Sequence, residues 1–183
     1  MAEIADRFRD IAGTFTETAQ RVPDDAWDNP APCEGWVARD VVGHMVEWMP
    51  SFLDDAPIDF PDGPNVADDP VGAWVALRDA LQAALDDRAV ATRTFTHPHV
   101  GTHTIEDAVG VFFLGDILVH TWDLARAAGL EVTLDPDEVH ALLTGLETME
   151  EVLRASGQYG PRVEVPAAAD EQTRLIAFTG RHP

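Results

Sequence analysis

Apolar residues recur along much of this chain at the three- and four-residue steps of a helix buried on one face. Over Glu3 to Arg21, the positions Ile4, Phe8, Ile11 and Phe15 form such a stripe, and Val22 extends it to a stop at Pro23. Three prolines and a glycine between Pro23 and Trp36 predict an ordered loop of turns. A second helix, Val37 to Leu53, carries Val37, Val41, Trp48 and Phe52 on one stripe, and His44 falls on that stripe, so its imidazole is expected to point inward. Pro50 and the segment Asp54 to Asp69, rich in Pro, Asp and Gly, should close this helix and form a long acidic connection.

Asp69 followed by Pro70 is an N-cap with proline in the first turn, and Trp74, Leu77, Leu81 and Leu85 predict a third helix ending near Val90. Ala91 to His103 reads as an extended crossover connection, after which Thr104 caps the next helix, with Asp107 in the second place of a capping box. That fourth helix, Ile105 to Ala128 with Gly129 as its stop, is apolar nearly all round and should be the most buried. A fifth helix starts at Asp135 and Pro136 and runs through Leu142, Leu146, Met149 and Leu153 to Gly157. The tail should wrap the bundle, with a short helix near Thr173 to Phe178. With no strand–helix alternation and no internal repeat, the pattern predicts an all-α fold, an antiparallel bundle with one or two longer crossovers.

A length of 183 residues suits one domain, residues 1–183. The formal charge of −21 repels phosphate backbones and anionic lipids, so neither nucleic acid nor membrane is an expected partner. All 12 basic residues are Arg, which removes lysine Schiff-base chemistry and a P-loop lysine. Cys33 is the single cysteine, so no internal disulfide forms and the expected setting is reducing and cytoplasmic. The N-terminus lacks a basic stretch leading into an apolar core, and no window is expected to span a bilayer.

Asp116 is the anomaly, a carboxylate in the middle of the most apolar helix just after Phe112 and Phe113. Burying it without a partner would cost several kcal/mol, so something cationic should meet it. His120 lies four residues on and shares its helical face, and an acid and a histidine at this spacing suit a metal. An inward His44 on a neighbouring helix offers a third ligand, as facing helices do in bundle-core metal sites. On pattern alone, a hydrogen-bonded Asp116–His120 pair beside a core His44 explains the same residues equally well.

Three segments carry a resemblance: ProCysGluGlyTrp from Pro32 to Trp36, the GlyHis pair at Gly43 and His44, and AspIleLeuValHisThrTrpAspLeuAla from Asp116 to Ala125. The closing run from Arg174 to Pro183 adds a fourth. Together they resemble the DinB-like superfamily, and more closely the mycothiol-dependent maleylpyruvate isomerase metal-binding domain and its single-domain relatives of unknown function. The resemblance implies a four-helix bundle with a crossover connection, an additional C-terminal helix and a wrapping tail. It also implies a divalent-metal site built from His44, Asp116 and His120, with zinc first and nickel or iron as alternatives. The isomerase pattern has Glu where this chain has Asp116, and the isomerase carries a further C-terminal domain, so its particular reaction does not transfer.

Asp123, three residues beyond His120, either orients an imidazole or pairs with Arg126 at the surface. Trp36, Trp48 and Trp122 are candidate pocket walls or plain core, while His97, His99 and His103 read as surface histidines in preference to a second metal site. Cys33 is assigned to packing. Two imidazoles and one carboxylate leave a bound divalent ion with net positive charge and an open position. The leading functional expectation is therefore an isomerase or transferase in which the metal activates mycothiol, or another low-molecular-weight thiol, for attack on a small electrophile. The alternative is a non-catalytic, metal-stabilised binding module, and a non-haem iron oxygenase ranks last. The oligomeric state is open, with a homodimer compatible.

Overall fold

The computed structural model describes residues 3–156 and 159–183. The chain is mostly helical, its one sheet among the described residues being a two-stranded hairpin. Helix α1 (Ile4–Gln20) buries Phe8, Ile11, Ala12, Phe15 and Ala19 against α3 (Pro70–Asp86) and α6 (Leu114–Ala127). Helix α2 (Ala38–Phe52) packs against the same two helices. The α1–α3 seam is keyed by Trp74, whose indole lies 4.6 Å from the Phe15 ring and donates to the Thr16 hydroxyl at 2.8 Å. A buried indole N–H is thus satisfied inside the core.

Pro50 lies inside α2 and does not end it. The turn persists because burying Phe52 and Leu53, at 9% and 1% exposure, outweighs the one backbone hydrogen bond a proline cannot make. Before α2, the proline-rich loop is held as an ordered strap, with Ala31 and Trp36 paired backbone to backbone and Asn29 donating to the Ala127 carbonyl at the end of α6. Gly35, at φ +79°, supplies the left-handed turn that brings Trp36 back toward α2.

After α3 comes a short capped turn, α4 (Arg88–Ala91). The expected extended crossover is a β-hairpin, β1 (Thr94–His97) pairing with β2 (Gly101–Thr104) in antiparallel register, Phe95 opposite His103. Thr104 caps α5 (Ile105–Ala108) by accepting from the Asp107 amide at 3.1 Å. The helix then passes through a π-helical turn, Val109–Phe113, into α6. A π turn holds one residue more than an α turn, so it rotates every later side chain by roughly 100°. Asp116 follows it by three residues.

The stretch Ile105–Ala127, 23 residues containing an 18-residue window of mean hydropathy 1.4, is long and apolar enough to cross a bilayer, against the expectation that no window approaches that. In the structure 72% of that window is buried within the fold. The expected fifth helix is two, α7 (Pro136–Thr148) and α8 (Glu150–Ser156), broken at Met149, which is 51% exposed. Gly157, expected as its stop, lies outside the described residues. The last helix, α9 (Glu171–Phe178), packs on α7, and the tail beyond it turns back toward α6.

Candidate metal centre

His44, Asp116 and His120 meet where α2 faces α6, one ligand atom from each lying within 4.8 Å of the others. His44 Nε2 is 3.2 Å from Asp116 Oδ2, and His120 Nε2 is 3.5 Å from Asp116 Oδ1. Each imidazole therefore faces its own carboxylate oxygen. Tetrahedral ligands at the usual zinc distances of about 2.0–2.1 Å are separated by about 3.4 Å, close to these spacings. The donor set of two imidazoles and a carboxylate fits zinc, nickel or iron. The alternative of a hydrogen-bonded Asp116–His120 pair beside a satisfied His44 uses the same contacts, His44 Nε2 being 3.2 Å from Asp116 Oδ2.

The environment differs from expectation in one respect. Asp116 is not the buried carboxylate: its side chain keeps 27% of its exposure, as does that of His44. Asp116 lies on the open edge of the α2–α6 seam, so the candidate site is accessible and the desolvation cost expected there is smaller. The buried carboxylate is Asp123, fully inaccessible and one turn beyond His120. Asp123 Oδ2 lies 2.8 Å from His120 Nδ1, and both its oxygens receive Arg181, Nε to Oδ1 at 2.7 Å and Nη2 to Oδ2 at 2.7 Å. Pairing of Asp123 with Arg126 is therefore ruled out; Arg126 instead lies 5.4 Å over the Trp122 ring. Burial alone would push the Asp123 carboxyl up, but the hydrogen bonds from His120 and Arg181 and the Arg181 charge hold it below its ordinary value.

Aromatic rings wall the site. Trp36 lies 5.8 Å from His120, nearly parallel, and 5.2 Å from His44, while Trp48 stacks on the other side of His44 at 5.7 Å. Trp122 does not share this role; it lines a separate cleft with Pro30, Arg126 and His182. Cys33 does more than pack: its thiol sits 3.4 Å from Asp123 Oδ2 and 3.3 Å from Arg181 Nη2. Burial and the Asp123 charge push that thiol up to about 12, so it stays protonated at neutral pH. Tyr159 joins the electrostatics of the site, its phenol raised by burial and by the Asp116 charge, and so remains a hydrogen-bond donor.

His97, His99 and His103 stay apart from this centre. His97 stacks on Phe52 at 4.4 Å and His103 contacts the Val100 carbonyl at 3.0 Å, and the three form no ligand cluster among the described residues. Sequence reasoning missed Arg181 and Tyr159. Arg181 left one signal, its place in the closing run quoted above; Tyr159 left none, since its proximity arises from tail packing.

Two uncharacterized proteins of Mycobacterium tuberculosis, from strains CDC 1551 / Oshkosh and ATCC 25618 / H37Rv, are each 28% identical over 184 residues, 91% of this chain and 91% of theirs. No solved structure matches the chain. Residues 8–69, which span α1, the strap and the His44 helix but stop short of Asp116 and His120, match the family model of the mycothiol maleylpyruvate isomerase N-terminal domain. That stretch is thus similar to the mycothiol maleylpyruvate isomerase N-terminal domain, while the segment carrying Asp116 and His120 lies outside the match.

Proposed function

We propose that this protein is a thiol-dependent enzyme, an isomerase or transferase of mycothiol type, working on a small electrophile at a divalent-metal centre held by His44, Asp116 and His120. The observation that carries the reading is the convergence of two imidazole nitrogens and a carboxylate at ligand spacing on an accessible edge of the fold. The contacts of α1 and α2 with both α3 and α6 support a DinB-like four-helix bundle, with residues 1–183 as one domain.

His44, Asp116 and His120 would hold a divalent metal, zinc first, with nickel or iron as alternatives, and it would supply Lewis acidity toward a thiol. The chain's own residues do the rest. With one carboxylate among the three ligands, a divalent ion held there would keep net positive charge, suited to an anionic sulfur. Trp36 and Trp48 screen the imidazoles from water and strengthen every charge interaction between them. Tyr159, whose phenol is held protonated by burial and the Asp116 charge, is available as a hydrogen-bond donor. Cys33, with its thiol pushed to about 12, is not the nucleophile, so the reacting sulfur comes from a cofactor.

Two measurements test this. Protein purified without chelator or nickel resin is expected to carry stoichiometric metal that a His44→Ala variant loses; equal metal content in both would sink the site. Titration of mycothiol, or a small model thiol, into Co²⁺-substituted protein is expected to change its visible spectrum. Neither a spectral change nor protection from metal loss would remove the thiol from the reading.

A further inference from the structure

Asp123 is the single fully buried carboxylate among the described residues, and both its oxygens accept hydrogen bonds. Oδ1 takes Arg181 Nε; Oδ2 takes Arg181 Nη2, His120 Nδ1 and, at longer range, the Cys33 thiol. The arginine comes from the far end of the chain. Gly180, at φ +89°, ends α9 in a left-handed turn whose inner side lies against the Gly160 backbone, where a Cβ would come within 3.3 Å. That turn brings the Arg181 guanidinium down onto α6, with 16% of its side chain still exposed.

We propose that Arg181 is a positioning residue for His120: its two-pronged ion pair fixes the Asp123 carboxylate, whose Oδ2 accepts from His120 Nδ1 and so holds the ring with Nε2 facing Asp116 and His44. A carboxylate paired on both oxygens with a guanidinium has no proton to give, so the ring nitrogen 2.8 Å from it is the donor. Without the guanidinium neither oxygen is pinned, and the ring loses the fixed acceptor that sets its orientation. The two-pronged geometry is particular to a guanidinium, and Lys would keep the charge while losing one contact. The consequence for metal rests on the proposed centre; the ring's hydrogen bond does not.

The test uses the full chain labelled with ¹⁵N-histidine. In metal-free wild type, the His120 ring is expected to show one ordered Nδ1–H signal held in a hydrogen bond. Arg181→Gln is expected to lose that ordered signal to exchange and to weaken Zn²⁺ binding, measured by competition with a chromophoric chelator, by about 10–100-fold. Arg181→Lys is expected to keep the signal with a smaller loss of affinity. A wild-type ring with no hydrogen-bonded Nδ1–H overturns the proposal, as does an Arg181→Gln protein with signal and affinity both unchanged. If Arg181→Gln does not fold, Arg181→Lys decides, because a folded Lys variant without the Nδ1–H signal contradicts the role, and one that keeps it supports it. A wild type that binds no metal would sink the proposed function, yet the Nδ1–H signal would still judge this inference.

Discussion

At the residue scale, one helix carries two carboxylates whose roles are the reverse of what their sequence neighbourhoods suggest. Asp116, flanked by Phe112 and Phe113, sits at an accessible edge, whereas Asp123 is sealed in the interior. Asp123 has a folded value below its unfolded one of about 3.9. Its stabilisation is therefore complete above that unfolded value and disappears as pH falls through the lower, folded value. Denaturant titrations across the acid range should show this loss, and Asp123→Asn should flatten that limb. Cys33 gives a second residue-scale prediction. With its thiol at about 12 against an ordinary 9.0, native protein at pH 8 should react with iodoacetamide about a thousandfold more slowly than free cysteine, and at the ordinary rate once denatured. An ordinary rate in the native protein would show that the thiol is not held by Asp123 and Arg181.

At the element scale, the departures from the sequence pattern have tertiary causes. The ThrPheThrHis run alternates, with Phe95 buried and Thr94 and Thr96 exposed, but its partner GlyThrHisThr carries no apolar alternation, so nothing in the sequence announced the pairing. The stripe through Leu142, Leu146, Met149 and Leu153 keeps helical spacing across a break, because α8 is docked by Arg154 on the Phe178 ring, 4.6 Å away, and not by Met149. Pro50 survives in α2 because Phe52 and Leu53 are buried beyond it. Pro50→Ala restores the missing donor and should raise stability by about 1–3 kcal/mol in chemical denaturation. Metal affinity should stay at the wild-type value, since His44 lies more than a turn upstream. A destabilised Pro50→Ala protein would mean that the proline itself is needed for the packing of that end.

At the scale of the whole molecule, the net charge of −21 opposes compaction. Screening shortens the range of that repulsion from about 10 Å at 0.1 M salt to about 3 Å at 1 M. The melting temperature should therefore rise with NaCl, and a flat or falling dependence would show that local ion pairs, such as Arg7 with Glu138 at 2.7 Å, outweigh the global term. The same field should speed the capture of divalent cations, so metal association measured by stopped flow should slow as ionic strength rises.

The sequence by itself determined the helical class and the positions of the main helices, because burial periodicity and capping residues such as Asp69, Thr104 and Asp135 act locally. It also brought out His44, Asp116 and His120, two of them through a spacing that any helix converts into a shared face. Only the tertiary structure decided how α2 meets α6, which carboxylate is buried, and that Arg181 reaches Asp123 across 58 positions. Those depend on a π turn, a left-handed glycine and the docking of a tail. Each is the outcome of packing between distant segments, and no local pattern of residue types encodes it.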